Sequence, residues 1–218
     1  MGLKKPSAVI PIGLDVRDYR PDLRSFQKSP SISFIGSLDW MPNQEGLRWF
    51  LDNVWDSLQE KFPTLTLEVA GRNTPAWVRN LKKKNVKVLG EIPDSIQFIN
   101  SHSIMAVPLF SGSGMRVKIL EGMALGKVVV STALGLEGIE ARDEQEVYIA
   151  NTKEGFINNL SMLISNDEKM LQVGQQAQEL VAEQYDNLQI AKKLARVYKS
   201  HLPNTVKIEV PVTDKAEV

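Results

Sequence analysis

Cysteine is absent from this 218-residue chain, and histidine occurs only twice, at positions 102 and 201. The first absence excludes a disulfide framework, a thiolate zinc site and a cysteine nucleophile, and the second leaves too few imidazoles for a histidine-built metal centre. A surplus of either charge is missing too: 26 Lys+Arg face 26 Asp+Glu, whereas a dedicated nucleic-acid binder carries a basic excess. No apolar run approaches the ~20 residues of a membrane helix, and the N-terminus has neither the apolar core nor the small-residue cleavage site of a signal peptide. A cytoplasmic protein is the default. Composition is blind to a local patch, so peripheral association with the inner face of a membrane stays open. What is present is an ordinary globular composition, 43% hydrophobic, in a length that suits one α/β domain.

The first 30 residues are punctuated by Pro6, Pro11, Pro21 and Pro30 and read as a linker, or as a segment draped on something else. Beyond them, short apolar runs predict strands over 31–36, 64–70, 86–89, 103–107, 127–131 and 145–150. Helical periodicity predicts helices over 43–60, 75–84, 94–100, 115–125, 152–165, 167–185 and 188–200. Residues 201–218 read as a polar, extended tail, which leaves 31–200 as the domain. Strands alternate with helices about six times, and several strands are continuously apolar, as in a parallel sheet covered on both faces. The fold class is therefore α/β: a doubly wound, mostly parallel, Rossmann-like sheet with helices on both faces. Such sheets bind ligands beyond the carboxyl ends of their strands, at the point where strand order reverses.

The most informative loop is PLFSGSGMRVKILEGMALG, residues 108–126. Gly112, Ser113 and Gly114 make a small-residue turn from strand to helix, where the backbone can approach a ligand and the first N–H groups attract an anion. Arg116 and Lys118 place two cations in the first turn of that helix, against its dipole. That arrangement suits a bound diphosphate. Glu121 lies one turn beyond Lys118 on the same side and can accept hydrogen bonds from a ribose diol. The loop is neither a P-loop nor a GxGxxG fingerprint, and a plain helix cap with mutually paired charges explains the spacing equally well. Nearby, no acidic pair follows a strand in the manner of a metal-binding motif.

Several stretches, in order, resemble the nucleotide-sugar-binding half of the group 1, or family-4, retaining glycosyltransferases, which have the two-domain GT-B architecture. VIPIGLDVRDYRP resembles their interdomain segment, FIGSLDWMPNQEGLRWF the first strand, loop and helix, and LEVAGR the second strand and loop. VKVLGEIPD resembles the base-pocket segment and PLFSGSGMRVKILEGMALGKVVVSTALGLEGI the signature region. The resemblance implies transfer of a sugar from a nucleotide diphosphate sugar (UDP- or GDP-linked by family habit) to a glycan or lipid-linked acceptor, with retention at the anomeric carbon and no metal or other cofactor. Arg116 and Lys118 would stabilise the leaving diphosphate with help from Gly112, Ser113 and Gly114. Gly36 and Ser37 would pass beneath the phosphates, Gly71 and Arg72 would belong to the second loop, and Gly90 and Ile92 would meet the base.

The chain departs from the family pattern in two places. The first of two signature carboxylates, which the family links to the transferred sugar, falls at Ser113; the second is Glu121. The Arg and Lys usual after the first strand are replaced by Ser37-Leu38-Asp39 and Pro42-Asn43-Gln44-Glu45, and Arg116 and Lys118 are expected to stand in for them. The family's acceptor domain would precede this one, so the chain reads as a fragment, inactive by itself. Two other readings stay open: a non-catalytic nucleotide or protein interaction domain, and half of a nucleotide-sugar epimerase.

Overall fold

The structure is a computed structural model that describes residues 7–27 and 30–201. Six strands form one fully parallel sheet: β1 (Ser31–Ile35), β2 (Thr66–Ala70), β3 (Val86–Gly90), β4 (Ile104–Val107), β5 (Val128–Ser131) and β6 (Tyr148–Ile149). Their spatial order is β3-β2-β1-β4-β5-β6. The chain steps outward from β1 in one direction, then returns to lay β4 on β1's other side, so the order reverses between β1 and β4. This is the doubly wound sheet that the alternation of strands and helices implies.

Period-2 packing explains why β4 and β5 are continuously apolar. Ile104, Ala106, Val128 and Val130 enter one buried cluster with Phe34, Trp55 and Phe156. Met105, Val107 and Val129 face the opposite cluster with Leu120, Met123 and Val181. Both faces are dry, so there is no place for the polar alternation of a half-exposed strand.

The helix expected over 43–60 is three pieces in one rod: α1 (Met41–Phe50), a π-helical turn (Leu51–Trp55) and α2 (Asp56–Lys61). Its apolar stripe, from Leu47 through Leu58, is fully buried as the spacing implies, and Pro42 occupies the first turn, where a missing N–H costs nothing. The π turn shifts the backbone bonds, and the Leu51 carbonyl accepts a hydrogen bond from Lys83 Nζ at 2.6 Å. Lys83 also pairs with Asp56 at 3.0 Å. These ties, and the Trp55 Nε1 bond to the Lys84 carbonyl, hold 82–84 against the rod. The helix expected over 75–84 is accordingly only α3 (Ala76–Arg79). After α4 (Ser95–Asn100) and α5 (Val117–Ala124) come α6 (Lys153–Ile164), α7 (Asp167–Gln184) and α8 (Asn187–His201). The tail expected over 201–218 lies outside the described residues apart from His201, which closes α8. Among the described residues no helix is long and apolar enough to cross a membrane.

Residues 14–27 lie against the domain. Leu14 donates to Tyr185 O and accepts from Asn187 N, Asn100 brackets the Arg20 carbonyl and the Asp22 N–H, and Phe26 is buried. Lys127, itself buried, donates to the Asp22 carbonyl and to Ser25 Oγ at 2.8 and 2.9 Å.

Glycine sets how closely the layers meet at the ligand end of the sheet. A Cβ on Gly46 of α1 would stand 2.0 Å from the Pro108 carbonyl oxygen, and one on Gly71 1.8 Å from that of Gly36. Both neighbours are backbone and cannot swing aside. Gly46→Ala should therefore destabilise the fold by about 2–4 kcal/mol, as overpacking against fixed atoms does, read as a lower urea midpoint with unchanged slope.

Candidate functional site

At the reversal point, a cleft of about 340 Å³ opens beyond the strand ends; its walls include Gly36, Ser37, Gly71, Arg72, Ile92, Lys118 and Glu121. Seven of the positions singled out in the sequence thus share one cleft, drawn from three loops and helix α5, up to 85 residues apart (Gly36 to Glu121). Its floor is stitched by backbone bonds, Gly36 N to Ala70 O at 3.2 Å and Gly71 N to Gly90 O at 2.7 Å. Gly90 belongs to this stitching and is not itself part of the wall. The remaining positions, Gly112, Ser113, Gly114 and Arg116, lie just outside it, on the approach to α5. Gly112 and Gly114 have φ of +93° and +89°, which a side chain at either position would strain.

Arg116 is the N-cap residue of α5 and is 7% exposed. Its Nη1 donates to the Ser113 carbonyl at 2.7 Å, and its guanidinium lies 5.3 Å from the Trp40 ring. Nε and Nη2 are buried without a hydrogen-bond partner among the described residues. Buried guanidinium donors are costly to leave unmade.

Lys118 crosses the reversal point. Its Nζ donates to the Ile35 carbonyl of β1 at 2.8 Å and to Asn43 Oδ1 of α1 at 3.1 Å, beneath the Phe34 ring. Asn43 in turn donates to the Ser37 carbonyl at 2.8 Å. The residue is half-buried, but its ammonium end is enclosed by these groups. Burial, followed by the nearby Arg116 charge, lowers its pKa to about 7. The loop after β1 carries no cation of its own, and the ammonium of α5 lies at the two ends of that loop, on Ile35 O of β1 and Asn43 of α1.

Glu121 is also half-buried, and burial pushes its carboxyl above the ordinary range, opposed by a 3.3 Å hydrogen bond from Tyr19 Oη. Tyr19 is pushed up to about 12 by its own burial and by the Glu121 charge. Sequence reasoning missed Tyr19 because it lies 102 positions away in the segment read as linker. It also missed Ser95 in the wall, whereas Glu91 and Pro93, also in the wall, sit inside the stretch assigned to the base pocket. Glu137, whose Oε2 accepts from the Gly114 N–H at 2.7 Å, lies in the turn at 135–138 that follows the signature helix and strand, where residue order alone weighs pocket lining and a plain turn about equally. Ser37 is turned to Asp39, its Oγ donating at 2.6 Å, and Asn73 holds the other Asp39 oxygen.

Parallel topology, a cleft at the strand reversal and two cations on a glycine-rich helix start define a doubly wound α/β domain with a cationic edge beside its cleft. Residues 29–166, more than half of the chain, match the family described as glycosyl transferases group 1, and the chain belongs to that family. A 44.6 kDa protein of the cps region of Klebsiella pneumoniae is 25% identical over 169 residues, a match covering 73% of this chain and 44% of that protein. The C-terminal domain of the group 1 family protein LpcC from Francisella tularensis shares the fold with a TM-score of 0.65 and 21% identity, over 80% of this chain and all of that domain. Anabaena HepE in complex with UDP-glucose gives a TM-score of 0.69 at 19% identity, over 86% of this chain and 56% of HepE. The chain thus spans about half the length of HepE and of the Klebsiella protein.

Proposed function

We propose that this chain is the donor-binding half of a retaining glycosyltransferase, taking a nucleotide diphosphate sugar whose acceptor, a glycan or a lipid-linked glycan, is held by a further domain. The observation that carries the reading is the pair of unpartnered guanidinium nitrogens on Arg116, beside the lowered-pKa ammonium of Lys118, at a glycine-rich helix start. In this reading the two cations and the loop N–H groups stabilise the diphosphate as it leaves, an electrostatic role needing no proton transfer from this half. Glu121, backed by Tyr19, takes the ribose diol; Gly71, Arg72 and Ile92 face the nucleoside; Gly36 and Ser37 lie under the phosphates. UDP is the first candidate because HepE is seen with UDP-glucose. A domain holding only donor groups transfers nothing alone.

Calorimetric titration with UDP, GDP and ADP tests this. One of them should bind, and Glu121→Gln should weaken that binding about 10-fold by removing a charged acceptor from the ribose. Absence of binding by all three to folded protein would leave the interaction-domain reading in its place.

A further inference from the structure

The turn after β5 delivers a carboxylate to the glycine loop. Leu136 and Ile139 on either side of Glu137 are buried, and the turn is closed by Glu137 N to Leu134 O, Ile139 N to Leu136 O and Gly135 N to Thr132 Oγ1 bonds. Glu137 itself is exposed. A buried frame therefore presents one solvent-facing carboxylate, with Oε2 2.7 Å from Gly114 N. Gly114 stands between this carboxylate and Arg116: a Cβ on Gly114 would lie 3.9 Å from Arg116 Nη1. Among the described residues no ion pair joins Glu137 to Arg116, whose Nε and Nη2 stay unpartnered, and no hydrogen bond reaches Glu137 Oε1. The carboxylate is thus not there to neutralise the guanidinium.

Although Glu137 follows Glu121 in sequence, its bond to Gly114 anchors it two residues before Arg116, so the charged groups succeed one another as Glu137 at Gly114, then Arg116, Lys118 and Glu121. Two cations are bracketed by two carboxylates. A carboxylate repels phosphate and accepts hydrogen bonds from hydroxyls. A ligand matching that order has a negative centre and a hydroxyl-bearing group at each end. We infer that Glu137 contacts the sugar carried on the diphosphate, with Oε1, and Oε2 when freed from Gly114, accepting from sugar hydroxyls, as Glu121 does from ribose. The inference rests on the nucleotide-sugar reading above and adds to it the residue that distinguishes a sugar nucleotide from a bare nucleoside diphosphate.

Paired titrations test it, using the nucleoside diphosphate that binds and its hexose and N-acetylhexosamine conjugates. Glu137→Ala should bind the preferred sugar nucleotide about 10-fold more weakly, the effect of losing charged hydrogen bonds, while its affinity for the bare nucleoside diphosphate stays within about two-fold. Glu137→Gln, which keeps one acceptor oxygen, should fall between. Equal losses for both ligands would make Glu137 a brace for the glycine loop and overturn the assignment, and so would no loss for either. Failure of the unaltered chain to bind any nucleoside diphosphate is a different result, which removes the donor site itself. Because Glu137 is exposed, unchanged thermal midpoints are expected and show that the variants fold.

Discussion

Arg116→Met should make the ligand-free protein more stable and the liganded protein scarce. Arg116 is 7% exposed, and two of its guanidinium nitrogens have no hydrogen-bond partner among the described residues. Each such donor costs about 1–3 kcal/mol, and replacement of unsatisfied buried charge by an apolar chain of similar length is often stabilising. Methionine also keeps a flexible stem against the Trp40 ring, at the cost of the single bond to Ser113 O. The expected result is a gain of about 1–3 kcal/mol in denaturant unfolding without ligand. Loss of a desolvated cation from a diphosphate site should weaken nucleotide binding by about 2–5 kcal/mol, roughly 30-fold or more. Opposite signs in the two measurements identify a residue kept for binding at the expense of stability. A variant less stable than the parent would show that Arg116 is a structural prop for the loop.

The second large effect is on pH. Lys118, lowered to about 7, is largely neutral at pH 8 in the empty cleft. The charged groups around it are Arg116 and Glu121 on its own helix; Arg72 and Glu91 line the same cleft. A bound diphosphate favours the ammonium and raises the pKa again. Binding at pH 8 should therefore take up close to one proton, and at pH 6 almost none. Affinity should fall by up to about 10-fold per pH unit above 7, since each unit is worth about 1.4 kcal/mol. A sugar nucleotide is the right ligand because its phosphodiesters do not titrate in this window. Calorimetry in buffers of different ionisation enthalpy reads the proton directly, and Lys118→Met should abolish the uptake. An unchanged uptake in that variant would move the titration to another group.

The same depression acts on stability with the opposite sense. From about pH 7 up to the ordinary lysine range the unfolded chain holds the Lys118 proton that the folded chain has lost. Stability of the empty protein should therefore rise with pH through that window. Lys127, lowered to about 8 mainly by burial, contributes in the same direction above pH 8. Raising the pH thus strengthens the empty fold while weakening its hold on ligand, which again separates the binding role of Lys118 from any structural one.

Much of the site could be read from residue order because doubly wound folds put ligand groups where strands end. Loops after apolar runs were the places to search, and Gly36, Ser37, Gly71, Arg72, Ile92, Lys118 and Glu121 do share a cleft. Local chemistry singled out Lys118 and Glu121 on the helix after the glycine loop; Gly36, Ser37, Gly71, Arg72 and Ile92 came from the resemblance to the family's loops. Gly112, Ser113 and Gly114 are also on the approach to that helix, but their part in the cleft is indirect. They form the collar through which Arg116, Trp40 and Glu137 meet. The rod from Met41 to Lys61 was legible as one amphipathic stripe. Its π turn was not, because one inserted bond shifts the backbone without breaking the burial pattern.

By itself, the order of apolar runs, glycines and charges determined an α/β sheet with both faces covered and a cationic helix start, because periodicity and backbone freedom are local properties. Which groups confront one another was decided only by the tertiary structure. Tyr19 on Glu121, Glu137 on Gly114 and Lys118 on the end of β1 are separated by 102, 23 and 83 positions, and no short-range pattern encodes them. The partnerless nitrogens of Arg116 belong to the same class: a guanidinium is a donor in any sequence, but its want of an acceptor exists only once the chain has closed around it and excluded water.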